Sequence, residues 1–137
     1  MTPLETAKYI YNKDAFSQWM GIEILEIKEK YCLIKMPIKA EMINGLKTVH
    51  GGITFAFADS ALAFSSNNDG NAAVALNCVI NFTNAVRLGD TLFAESKLLT
   101  ETRKTGIYDI LIKNQREELV ASFRGTVYKI NKKVADL

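Results

Sequence analysis

The sequence predicts an α+β domain in which one antiparallel sheet wraps around a central helix at about residues 52–66. Three observations carry that reading. The stretch ITFAFADSALAFSS, Ile53 to Ser66, is apolar on almost every side, as a helix is when other elements enclose it. Four long extended runs follow Gly70, and two shorter ones precede the helix. The order helix, two strands, buried helix, four strands lets a single antiparallel sheet curl around the helix and bury its own apolar face.

Each element has its own signal. Leu4, Ala7, Ile10 and Tyr11 stand at helical spacing and Phe16, Trp19 and Met20 continue the face, which predicts one amphipathic helix over residues 4–19. Residues 22–39 alternate instead, through Ile22, Ile24, Cys32, Ile34 and Met36, with the polar pair Glu29-Lys30 midway. Two short strands joined by a tight turn follow from that pattern. Asn44-Gly45 and the closing His50-Gly51-Gly52 mark residues 39–52 as a loop. Asn67-Asn68-Asp69-Gly70 stops the central helix. Beyond it, runs at about 72–83, 91–102, 106–115 and 118–130 are divided by Gly89-Asp90, Lys104-Thr105-Gly106 and Gln115-Arg116-Glu117. They predict a meander of long antiparallel strands. No internal repeat or low-complexity segment interrupts residues 1–137, which read as one domain.

The bulk numbers narrow the function. With 48% hydrophobic and 23% charged residues the 137-residue chain has material for one core. A formal net charge of +2 is too slight to predict nucleic-acid binding. No apolar run approaches the ~20 residues that span a bilayer, and the start, MTPLETAKYIYNKD, does not read as a secretory signal. Cys32 and Cys78 lie far apart, without metal-ligand spacing or a disulfide framework. A reduced, cytoplasmic setting without membrane or nucleic-acid partners is therefore expected, and no metal or other cofactor.

Asp59 is the most informative residue. It lies in the middle of the most apolar helix, and no basic residue occurs between Lys47 and Arg87 to pair with it locally. Burying a carboxylate costs several kcal/mol unless it is paired or hydrogen-bonded, so the position points either to catalysis or to a seam that solvent or a neighbouring strand reaches. His50-Gly51-Gly52 opens the same helix. Unpaired N–H groups and the positive end of the macrodipole meet there, and glycine lets a ligand approach the backbone; the plainer alternative is a tight turn. His50, the only histidine, fits a loop or capping role. The Asn44 amide could orient a water or a carbonyl, although Asn-Gly is above all a turn signal. Arg103, Lys104, Arg124, Lys132 and Lys133 could attract phosphates, or could be a solvated strand edge.

Met42-Ile43-Asn44-Gly45, His50-Gly51-Gly52, Phe55-Ala56-Phe57-Ala58-Asp59-Ser60-Ala61, Asn81-Phe82, Gly89-Asp90-Thr91-Leu92, Thr105-Gly106-Ile107-Tyr108-Asp109-Ile110 and Phe123-Arg124-Gly125 together resemble the PaaI-type branch of the hotdog-fold acyl-coenzyme A thioesterases. The resemblance spans nearly the whole chain. It implies a hotdog fold and hydrolysis of an acyl- or arylacyl-coenzyme A to free acid and coenzyme A. It further implies that Asp59 is the catalytic carboxylate, that the Gly51 amide polarises the thioester carbonyl, and that Asn44 and His50 hold active-site loop positions. Gly52, Lys104, Thr105, Gly106, Arg124 and Gly125 fall in segments that would line the substrate groove. Two departures stand out: Thr83 and Asn84-Ala85 replace an Arg-Pro pair common in the family, and Leu76 occupies a position where relatives carry a small hydroxyl residue.

Asp59 would act on the thioester as general base or as nucleophile, and the sequence does not separate the two. Gly51 and Asp59 are 8 residues apart, ~12 Å along a helix at ~1.5 Å per residue. One thioester can hardly touch both, which predicts a site shared across a twofold dimer; the resemblance adds that such dimers pair again into tetramers. A hotdog dehydratase or hydratase and a non-catalytic acyl-coenzyme A-binding module are the rival expectations, since fold alone does not fix function.

Overall fold

The computed structural model describes all of residues 1–137. Thr2 opens α1 (Pro3–Lys13) through a reciprocal capping box with Glu5. The expected single helix over 4–19 is in fact two. At Asp14 the backbone leaves helical geometry (φ −98°, ψ 82°), and its carboxylate caps α2 (Ala15–Trp19) by accepting from the Ser17 N–H. An aspartate side chain competes with a continuing helix for backbone donors and starts a new one. Periodicity misled here because Phe16 and Trp19 are exposed and stack on each other, while Met20 alone of that run enters the core.

β1 (Glu23–Lys28) and β2 (Tyr31–Pro37) form the expected hairpin, turning at Glu29-Lys30 with Lys30 at φ 59°. After the loop come α3 (Gly51–Ser66), β3 (Asn71–Phe82), β4 (Thr91–Glu101), β5 (Thr105–Lys113) and β6 (Leu119–Lys133). All six strands join one antiparallel sheet in the order β1-β2-β4-β5-β6-β3. Only β4, β5 and β6 make the predicted meander. β3 runs along the far edge beside β6, because alternation dictates which face of a strand is buried and not which strand lies next to it.

Register sorts the side chains. Ser96, Ile110, Phe123 and Ile80 lie in one cross-strand row on the face that packs on α3. Phe57, Ala58, Ala61, Leu62 and Phe64 of the helix meet Cys32, Ile34, Met36, Leu92, Ala94, Ile110 and Phe123 in a single core, where burying each large side chain is worth about 1.5–3 kcal/mol. The helix comes so close to β6 that a Cβ on Gly125 would stand 2.7 Å from Leu62 Cδ2.

The helix is not enclosed on every side, as its composition suggested. A stripe of Gly52 and Asp59, both exposed, with Phe55, Ala56 and Ala63, all half-buried, stays open along α3 beside β3. That strand has no neighbour on its outer side and exposes Val74, Leu76, Val79 and Phe82. No helix is long and apolar enough to cross a membrane.

Candidate active site

The loop before α3 is held at both ends. Val49 N–H donates to the Val86 carbonyl at 2.7 Å and His50 N–H to the Met42 carbonyl at 2.8 Å. Asn44 Oδ1 accepts from the backbone N–H groups of Leu46 and Thr48 and lies near the Thr48 hydroxyl. The carbonyl half of the amide is thus consumed by the loop, and its Nδ2 donors have no partner within the chain. His50 caps the helix: its Nδ1 accepts from the Gly52 N–H at 2.9 Å. To accept, Nδ1 must be unprotonated, which places the proton of the neutral ring on Nε2. His50 therefore shapes the helix start, and its Nδ1 is not free to act as a base.

The cap satisfies Gly52 and leaves Gly51. The Gly51 N–H donates to no group of the chain and sits at the positive end of α3. A Cβ here would stand 3.3 Å from the Phe82 ring, a tight contact that a small shift of this exposed ring relieves. A small pocket of about 370 Å³ opens beside it, lined by Gly51, Thr54, Phe82, Thr83 and Val86 among others. Thr83 and Asn84 both donate to the Leu119 carbonyl and close the end of β3 against β6.

Asp59 lies further along α3 with neither a hydrogen bond nor an ion pair in the chain, and it is exposed, on a seam that solvent reaches. Exposure moderates what the surroundings do to it, yet the protein packed beside its carboxyl and, next, the charge of Asp14 both raise its pKa. Cys78 on β3 is pushed up in turn by burial and by the Asp59 charge. Along the helix Gly51 stands by Phe82, and the Asp59 charge reaches Cys78. Those β3 residues are four apart, ~13 Å at ~3.3 Å per residue, which agrees with the ~12 Å given by the helix rise. The structure does not bring the amide and the carboxylate of one chain to a common point.

The remaining candidates separate into different places. Lys104 and Gly106 line a cleft of about 990 Å³ under the C-terminal end of α3, together with Lys30, Arg103, Lys129, Lys132 and Lys133. Thr105 opens β5, its hydroxyl 2.9 Å from that of Thr102. Arg124 lies elsewhere, on the sheet face turned away from α3, where it grips Asp109 with two hydrogen bonds of 2.7 and 3.0 Å. Gly125 serves the packing of Leu62.

The sequence model of the thioesterase superfamily matches residues 46–121, more than half the chain and a span that holds Gly51, Asp59 and the strand between Phe82 and Cys78. This chain belongs to the thioesterase superfamily. Acyl-coenzyme A thioesterase PaaI of Escherichia coli (strain K12) is 39% identical over 126 residues, 92% of this chain and 90% of that protein. The structure of the E. coli PaaI protein from the phenylacetic acid degradation operon superposes with a TM-score of 0.94 at 37% identity, over 96% of this chain and 95% of that one. A mutant of phenylacetic acid degradation protein PaaI from Thermus thermophilus matches with a TM-score of 0.82 at 30% identity, over 85% of this chain and the whole of that one. The hotdog fold expected from the sequence is the one observed. A thioesterase needs a donor for the carbonyl oxygen and a base or nucleophile for the carbon, and the unpartnered Gly51 amide and the unpaired Asp59 carboxylate are groups of those two kinds.

Proposed function

We propose that this thioesterase hydrolyses the thioester of an acyl-coenzyme A, arylacyl groups included, to free acid and coenzyme A. The observation that carries the reading is the pair of unsatisfied groups flanking β3: an amide with no acceptor at the start of α3, and a carboxylate with no cation in its middle. The Gly51 N–H binds the carbonyl oxygen and strengthens its hold as that oxygen gains charge. Asp59 activates a water or attacks the carbon directly. Asn44 presents its free Nδ2 donors beside the oxygen or the water, and His50 keeps the loop and helix start in register. No metal or further cofactor is called for, because every role falls to the chain or to water.

Two copies complete the site in this reading. β3 presents an unpaired, apolar edge, the kind of surface that pairs with another strand, and the open stripe of α3 lies beside it. Antiparallel pairing of two β3 strands about a twofold axis near Ile80 sets Gly51 of one chain opposite the partner subunit's Asp59. The cleft supports a place for the phosphates: Asp69, Glu101 and Asp136 also line it, but Asp69 and Glu101 pair with Lys30 and Lys129, while Arg103, Lys104 and Lys132 make no ion pair. Coenzyme A release from a panel of acyl- and arylacyl-thioesters tests the proposal. Turnover should fall with loss of the thioester itself, whereas hydration or dehydration without coenzyme A release, or binding without turnover, would reassign the site.

A further inference from the structure

Asp59 has a neighbour that motif reading passes over. Asp14, between α1 and α2, accepts from the Ser17 N–H with Oδ1 and from the Ser17 hydroxyl with Oδ2. The Ser17 hydroxyl in turn lies 2.8 Å from that of Ser60, which directly follows Asp59 on α3, and both serines are buried. The protons of this chain have a fixed direction. An ionised carboxylate only accepts, so Ser17 donates to Asp14 and Ser60 must donate to Ser17. A buried polar chain with every member satisfied is rigid, and losing one member leaves the others unpaired.

The charges around Asp59 are few. On α3 it is the sole titratable residue. Facing the helix are Tyr11 from α1, Cys32 from β2, Cys78 from β3 and Tyr108 from β5, while the inward residues of β4 and β6 carry no ionisable group. Burial pushes the two thiols and the Tyr108 hydroxyl up, so they stay neutral at working pH. The Asp14 carboxylate bears on Asp59 as well, and neither of the two makes an ion pair within the chain.

We propose that Asp14 is a positioning residue of this site: the Asp14–Ser17–Ser60 chain clamps the N-terminal helices onto the turn of α3 that carries Asp59, and the Asp14 carboxylate sets the field in which Asp59 works. The inference rests on the assignment of Asp59 to the chemistry. A nearby negative charge with no cation between favours the protonated form of Asp59 and makes its anion more basic, which suits a general base or nucleophile.

The test is the pH dependence of kcat/KM for an acyl-coenzyme A substrate, with a 13C-carboxyl NMR titration in which the Asp59 signal is identified by its loss in Asp59→Asn. Asp14→Asn and Asp14→Ser remove the charge but keep good N-cap side chains, so either serves if the other folds poorly. Both should move the acid limb and the Asp59 titration to lower pH, and Asp14→Glu should move them back toward wild type. Ser17→Ala keeps the charge but breaks the chain; it should lower kcat about tenfold through misplacement and leave the limb nearly in place. An Asp59-dependent limb that stays put in both Asp14 variants overturns the positioning role. Absence of any limb in the wild type, or full turnover by Asp59→Asn, overturns the assignment of Asp59 and this inference with it.

Discussion

Asp59 stands out in the sequence for its chemistry, and the fold shows which of its possible surroundings it has. A carboxylate in ITFAFADSALAFSS stands out because apolar helices exclude charge unless it has a use. The same composition suggested a helix buried on most of its circumference, yet Asp59 is exposed, on the stripe of α3 that the sheet leaves open. Asp59→Asn should lower kcat by roughly 10²–10⁴-fold, the usual contribution of such a group, with thioester binding retained; a variant within tenfold of wild type in a coenzyme A release assay would remove Asp59 from the chemistry. The fold should not suffer. Folding raises the pKa of this carboxyl, so the folded state favours its protonated form, and ionised Asp59 costs stability at neutral pH. That cost fades as pH falls through the raised folded-state value and is gone below the unfolded-state one. Calorimetry should show Asp59→Asn melting no lower than wild type near pH ~7, with any advantage shrinking in acid; a clearly lower Tm at neutral pH would mean that the carboxylate holds the structure together.

Elements differ in how legible they were. The β1–β2 hairpin, α3 and the β4–β5–β6 meander follow from alternation and turn residues that need no knowledge of distant neighbours. The break at Asp14 and the placement of β3 do not, because the first turns on a cap that one aspartate supplies and the second on which edge is free. Motif resemblance implies a groove position for Gly125, and the structure adds its place under Leu62, which depends on how near α3 packs to β6 and which no local pattern encodes. Gly125→Ala should cost about 1–3 kcal/mol by overpacking, since its Cβ would sit 2.7 Å from Leu62 Cδ2 and 3.0 Å from Phe123 Cε1. A thermal melt equal to wild type, with weakened coenzyme A binding, would return this residue to the groove. The hairpin between β4 and β5 carries the opposite expectation. Arg103 and Lys104 line the cleft with Lys132, and coenzyme A affinity measured by calorimetry should weaken as salt rises past ~0.1 M, where screening reaches ~10 Å. Affinity indifferent to salt would separate the cleft from the phosphates.

The whole molecule presents an unfinished surface: a twelve-residue edge strand with exposed Val74, Leu76, Val79 and Phe82, and beside it the open stripe of α3. Two rulers, the helix and the strand, place the Gly51 amide and the Asp59 carboxylate of one chain too far apart for one thioester. The eight-residue spacing made that much legible in the sequence; the free strand edge that would close the gap appears only in the fold. Gly51→Pro removes the amide hydrogen with little disturbance, because the N–H has no partner, His50 already holds the extended geometry (φ −63°, ψ 131°) that precedes proline, and proline suits the first turn of a helix. The decisive measurement mixes this variant with Asp59→Asn by co-refolding and assays thioester hydrolysis. In a mixed dimer one site receives both lesions and the other neither, so equal mixtures of two inactive proteins should recover about a quarter of wild-type activity, half the dimers being mixed and each holding one intact site of two. Mixed dimers that form, fold and remain inactive would contradict a site built from Gly51 of one subunit and the partner subunit's Asp59.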